Sequence, residues 1–374
     1  MKIVVRAEHD KEETRVAASP ETVKKLVGMG CAVTVEAGAG AKAHMSDADY
    51  EAAGASIAKA GSALGDADIV VSVRRPDAAA LGAMKAGAAI VAMMDPYGDK
   101  DGIEPFAKQG VIAFSMELMP RITRAQSMDV LSSQSNLAGY KAVIDAAAEF
   151  ERAMPMMMTA AGTVAPARVF VMGAGVAGLQ AIATARRLGA IVSATDVRRV
   201  AAEQVESLGA TFVMVESDDA EGGETAGGYA KEMSEDYKKR QAELIAETIR
   251  KQDIVICTAL IPGRPAPTLV TREMVETMKP GSIIVDLAVE RGGNCPLSKP
   301  GKVVMHKGVK IMGYLNVAGR LPVNASSLYA KNVANFVELL IDRENGRVAI
   351  NWDDEIIAGT ALTRDGAIVH PSLA

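Results

Sequence analysis

Val169-Phe-Val-Met-Gly173-Ala-Gly175-Val-Ala-Gly178 decides the fold. Four apolar residues, long enough for a buried parallel strand, run directly into G-x-G-x-x-G. The next ten residues have the pattern of a helix (179–188). That strand–glycine–helix context separates a dinucleotide fingerprint from a chance glycine cluster. Gly173 permits the tight turn, Gly175 lets backbone approach a pyrophosphate, and Gly178 lets the helix pack close to the strand. The helix N-terminus then offers unpaired N–H groups and the positive end of its dipole to the phosphates.

Working outward, Asp196 ends the next apolar run, at about the 20-residue spacing where a carboxylate meets the adenosine ribose. It accepts the two hydroxyls and repels a 2′-phosphate, which favours NAD over NADP. Arg198 and Arg199 follow and pull mildly the other way. Further runs at 211–215, 254–258, 282–287 and 309–313 complete a six-strand cadence with 169–172 and 191–196. Upstream, 2–6, 32–36, 69–73, 89–93 and 111–115 alternate with helical patterns such as 20–29. The expectation is α/β: two Rossmann-like domains with parallel sheets. Helical patterns at 132–153 and 324–342 bracket the second lobe, and the turn-rich tail after residue 342 folds back onto the first. The domains are expected at 1–131 with 317–374, a discontinuous first domain, and at 132–316, the NAD(H)-binding Rossmann domain.

Composition narrows the function classes. The chain has 374 residues, 49% hydrophobic, with 41 basic against 46 acidic residues and 4% aromatics. The mild charge and few aromatics argue against nucleic acid as a partner. Cys31, Cys257 and Cys295 are too few and too scattered for a disulfide scaffold or a four-cysteine zinc site, and no metal is expected. The first ten residues carry charge and no apolar core, unlike a signal peptide. The charge-free stretch 169–185 is Gly-rich and shorter than the ~20 apolar residues of a membrane span. A soluble, cytoplasmic chain is expected, able to dock on a membrane partner.

Two further segments bear on chemistry. In Pro120-Arg121-Ile-Thr-Arg124-Ala-Gln126-Ser-Met-Asp129-Val-Leu-Ser132-Ser133, the residues Gln126, Asp129 and Ser132–Ser133 fall on one face if the segment is helical. Such a face could orient a carboxamide near a cleft; the competing reading is a capped, solvated helix start. Residues 216–241 are charged and Gly-rich, and their length suggests a mobile lid with Tyr229 near its tip, against a plain surface loop. No histidine stands at a central strand tip, so the proton carrier that hydroxy- and amino-acid dehydrogenases need is missing.

The run PRITRAQSMDVLSSQSNLAGYKAV, the fingerprint GAGVAGLQAIATARRLGAIVSATDVR, the loop GGYAKEMSEDY and VICTALIPGRPAP together resemble the NAD(H)-binding component of bacterial proton-translocating NAD(P) transhydrogenase, over nearly the whole chain. Its fold is similar to that of alanine dehydrogenase. The resemblance implies a homodimer that works with an NADP(H)-binding subunit and a membrane-spanning subunit, at the inner membrane only through them. It implies direct hydride transfer between two nicotinamides, coupled to proton translocation. By the same resemblance, Arg121, Gln126, Asp129 and Ser132 surround the nicotinamide, and Val176, Asp196, Val197 and Arg198 hold the adenosine end. Gly228, Gln241 and Leu260 close the cleft, with Tyr229 at the loop tip. Relative to alanine dehydrogenase, the chain keeps basic residues at Arg15 and Arg74. It has Met93–Met94 where that family has its catalytic histidine, and Glu290 in place of its catalytic aspartate. An NAD-dependent amino-acid dehydrogenase is therefore the second reading, and a non-catalytic NAD sensor the third.

Overall fold

In a computed structural model, residues 1–215 and 235–373 are described. The chain forms two compact units, residues 1–134 with 318–374, and residues 135–317.

In the first unit, β1 (Lys2–Val5), β2 (Ala32–Glu36), β3 (Ser56–Ala58), β4 (Ile69–Arg74), β5 (Ala89–Met93) and β6 (Ile112–Ser115) form one parallel sheet of order β3-β2-β1-β4-β5-β6. Helices α1 (Pro20–Gly28), α2 (Asp47–Ala52), α3 (Ala78–Ala83) and α4 (Glu104–Lys108) cross between strands. Ser19 opens α1 with a capping box, and Pro20 follows at the first helical position, where its missing N–H costs nothing. The strands are apolar at successive positions because both faces are covered. Ile3, Ile69, Val71, Ala89 and Val91 enter one core, while Val4, Val70, Ile90 and Ala92 enter the other.

The boundary between the units falls within α5 (Val130–Glu149). The second unit starts with a hairpin of β7 (Met157–Thr159) and β8 (Gly162–Val164), whose residues are all exposed. Then follow β9 (Arg168–Met172), α6 (Val176–Arg187), β10 (Ile191–Thr195), α7 (Ala201–Ser207), β11 (Thr211–Phe212), α8 (Glu235–Ile249), β12 (Ile254–Cys257), α9 (Arg272–Thr277), β13 (Ile283–Asp286), β14 (Lys302–His306) and β15 (Val309–Gly313). The sheet order is β11-β10-β9-β12-β13-β15-β14, parallel except for the edge pair β14–β15. Alternation again sends Val169 and Val171 to one face and Phe170 and Met172 to the other. The chain returns to the first unit with α10 (Pro322–Val337) and α11 (Glu355–Thr360).

Both sheets have the doubly wound order, with a reversal beside β1 and beside β9. Ligands of such sheets bind at the strand C-termini near that reversal. Among the described residues, no helix is long and apolar enough to cross a membrane.

Three sequence expectations need correction. β3, β14 and the β7–β8 hairpin lack the apolar runs of the central strands, and their side chains are largely exposed. The fingerprint helix begins at Val176, because Gly175 is its extended N-cap. Most important, Gln126, Asp129 and Ser132 do not share a helix face. Residues Thr123–Met128 form a 3₁₀ turn, Asp129 is extended at ψ 98°, and α5 starts after it. The Asp129 carboxylate accepts the Ser132 N–H at 2.9 Å, so it caps α5 and breaks the periodicity that spacing alone suggested.

Candidate functional site

The second unit carries a phosphate cradle at its sheet reversal. Gly173 has φ +105°, and a side chain there would meet Thr258 Oγ1 at 2.5 Å. A Cβ on Gly178 would lie 1.8 Å from the Gly173 carbonyl oxygen, so helix and loop touch backbone to backbone. Gly175 differs: nothing lies within 4 Å of a Cβ built there. Its open side and the start of α6, which has no side-chain cap, leave first-turn N–H groups facing outward. Among the described residues this is a built fit for a dinucleotide pyrophosphate. Thr258 was not singled out from sequence; its hydroxyl donates to the Gly173 carbonyl at 3.0 Å and ties β12 to the loop.

Asp196 sits just beyond β10 with its side chain nearly buried. Its Oδ2 accepts the Ala174 N–H at 2.7 Å, bracing the glycine loop from the neighbouring strand tip. Arg198 closes on it through its own N–H and its guanidinium. Val176, Val197 and Leu260 follow β9, β10 and β12 and are 42%, 51% and 49% exposed. Three bare aliphatic side chains beyond adjacent strand C-termini suit an apolar ring face better than water. Leu260 lies in a loop pinned by Asn294, whose amide donates to the carbonyls of Ala259 (2.9 Å) and Pro267 (2.8 Å). Gln241 on α8 accepts the Val215 N–H at 3.0 Å and donates to Thr195 Oγ1 at 3.1 Å. It therefore fixes the helix that follows the 216–234 segment. Gly228 and Tyr229, and with them the lid expectation, lie outside the described residues.

In the first unit, the 3₁₀ turn exposes Arg121 and Gln126 and half-buries Ser132 at the start of α5. Arg124 makes a two-bond pair with Asp354, at 2.8 and 2.7 Å, which anchors the turn to the N-cap of α11. Asn332, unforeseen from sequence, donates to the Ser127 carbonyl at 2.8 Å from α10.

The reversal of the first sheet is filled by the protein's own charges. Buried Arg15 donates through Nε and Nη2 to Glu13, both at 2.7 Å, and through Nη1 to Gln134. Arg74 Nε reaches the same carboxylate at 2.8 Å. Burial would raise the Glu13 carboxyl, but the Arg15 hydrogen bonds and the charges of Arg15 and Arg74 hold it down at about 2. Glu8 accepts the N–H groups of Val73 and Arg74, and burial pushes it up to about 7. Both substrate-type arginines are thus engaged with one internal carboxylate. Met93 and Met94 end the β5 segment, and Glu290 spends Oε1 on the Asn316 N–H at 2.6 Å.

Comparison with known proteins agrees with this geometry. The model of "Alanine dehydrogenase/PNT, N-terminal domain" matches residues 4–138, and that of the C-terminal domain matches residues 142–371. The chain is 56% identical to an NAD(P) transhydrogenase alpha subunit of Rhodospirillum rubrum, over 100% of this chain and 99% of that one. A solved transhydrogenase structure from Sinorhizobium meliloti superposes with TM-score 0.90 at 56% identity, covering 99% of this chain and 100% of that one. An L-alanine dehydrogenase structure superposes with TM-score 0.83 at 26% identity, covering 100% and 98%. With a glycine cradle of the dinucleotide type and matches along nearly its full length, the chain belongs to the alanine dehydrogenase/PNT family of oxidoreductases.

Proposed function

We propose that this chain is the NAD(H)-binding subunit of a proton-translocating NAD(P) transhydrogenase. The observation that carries the proposal is the cradle: Gly178 packed on Gly173, open space at Gly175, and an α6 start with no side-chain cap. In this reading the α6 N–H groups hold the pyrophosphate and Asp196 takes the ribose. Val176, Val197, Arg198 and Leu260 line the adenosine end, and Gly228, Tyr229 and Gln241 belong to the closing segment. Arg121, Gln126, Asp129 and Ser132 meet the nicotinamide end, with residues 1–131 and 317–374 acting as one domain and 132–316 as the other. The bound nicotinamide supplies the hydride chemistry. The residues position it, since ring-to-ring transfer moves no substrate proton and asks for no acid–base group.

NADP(H) is carried by a partner subunit, and a third, membrane-spanning subunit couples transfer to proton movement. The chain itself is a cytoplasmic homodimer, held at the inner membrane by those partners. Full-length likeness to a transhydrogenase alpha subunit supports this over amino-acid oxidation. So do Glu290, bonded to backbone, and Arg15, with Nε and Nη2 on Glu13 and Nη1 on Gln134.

The test is hydride transfer from NADH to NADP+ by the purified chain, alone and reconstituted with an NADP(H)-binding partner, beside NAD reduction with alanine. Transfer only in the reconstituted system is expected. Rapid transfer by the chain alone, or alanine-dependent NAD reduction, would overturn the proposal.

A further inference from the structure

The Asp196 carboxylate has about four lone-pair positions to offer. Protein donors reach it four times. Oδ2 takes the Ala174 N–H at 2.7 Å and Arg198 Nη2 at 3.1 Å; Oδ1 takes the Arg198 N–H and Nε, each at 2.9 Å. The acceptor capacity of the strand-tip carboxylate is therefore filled in this structure. Two of the donors are backbone, held by the glycine loop and the turn after β10. The other two belong to the Arg198 guanidinium, which can rotate away. A ribose diol that hydrogen-bonds Asp196 must replace those two and leave the backbone donors in place.

The displaced guanidinium stays tethered two residues along the chain, next to the 2′ position. Arginine's planar fork is the side chain best matched to a phosphate. Resting on the NAD(H) reading, we propose that Asp196 and Arg198 form a selectivity lock. Asp196 occupies Arg198 and admits a 2′-hydroxyl, while Arg198 is a latent 2′-phosphate site that opens when the carboxylate is removed. The same arginine thus decides which dinucleotide binds, according to whether its partner carries charge.

The experiment is equilibrium binding of NADH and NADPH, read by nucleotide fluorescence, to the intact chain and three variants. The wild-type chain is expected to prefer NADH. Asp196→Asn is expected to bind NADPH about ten- to hundredfold more tightly than wild type, the span of one or two charge-assisted hydrogen bonds. The double variant Asp196→Asn/Arg198→Ala is expected to lose that gain. Asp196→Ser, which keeps an acceptor for Ala174, serves if the asparagine variant does not fold, and the same gain is expected of it. A variant that binds NADH but gains nothing for NADPH overturns the lock, as does a gain that survives in the double variant. A wild-type chain that binds neither nucleotide overturns the dinucleotide reading itself, and the lock with it.

Discussion

Asn332 and Ser127 are joined by a 2.8 Å hydrogen bond from the asparagine amide to the serine carbonyl, across more than 200 positions of sequence. On its other side, Asn332 Oδ1 accepts the Ser133 hydroxyl, also at 2.8 Å. One nearly buried amide therefore clamps the end of the Thr123–Met128 turn and the first turn of α5. Asn332→Ala should cost about 1–3 kcal/mol, because it strands a buried carbonyl and a hydroxyl. Chemical denaturation measures this, and an unchanged midpoint would show that the clamp is incidental.

The three fingerprint glycines should respond differently to one methyl group. Gly178→Ala forces a Cβ to within 1.8 Å of a backbone oxygen and should cost about 3 kcal/mol or more of stability. Gly175 has φ −78°, which any residue adopts, and open space around it. Gly175→Ala should fold normally yet lose NADH affinity by about 1–3 kcal/mol, since its methyl group intrudes where a phosphate approaches. Thermal melts beside NADH titrations check both. Full affinity in Gly175→Ala would move the pyrophosphate elsewhere.

The buried carboxylates of the first unit should give stability opposite pH slopes. Glu13, held at about 2 in the fold against 4.5 otherwise, contributes stability above about pH 4.5 that is lost as pH falls toward 2. Glu8, raised to about 7, binds its proton more tightly in the fold, so its contribution falls as pH rises from about 4.5 through 7. Glu8→Gln keeps an acceptor for the Val73 and Arg74 N–H groups and should flatten the upper limb. Glu13→Gln should destabilise at neutral pH by about 3–5 kcal/mol, since it leaves buried Arg15 without its counter-charge. Denaturation midpoints between about pH 3 and 8 read both, and an unchanged upper slope in Glu8→Gln would refute its assignment.

Gln126 is exposed on its turn, so shortening it should leave the fold intact. With the NADP(H)-binding partner present, Gln126→Asn should slow hydride transfer far more than it weakens NADH binding. Single-turnover transfer beside equilibrium binding separates the two effects. Equal rates in variant and wild type would remove Gln126 from the nicotinamide end.

The sequence by itself determined the α/β architecture and the location of the cradle, because both rest on short-range rules. Alternate residues of Val169–Met172 face opposite cores, and Gly173, Gly175 and Gly178 act within six positions of one another. Asp196 was legible for the same reason, as the first charged residue after an apolar run. Only tertiary structure decided what those residues touch. That Asp129 caps α5, and does not share a helix face with Gln126, depends on where the 3₁₀ turn ends. That Arg15 and Arg74 converge on one Glu13, and that Asn332 reaches back to Ser127, depends on segments brought together by the parallel sheet and by the returning C-terminal helix. Local periodicity records which side of a strand or helix is buried. It does not record which distant polar group arrives there, because that pairing is set by crossover connections that leave no periodic trace in the sequence.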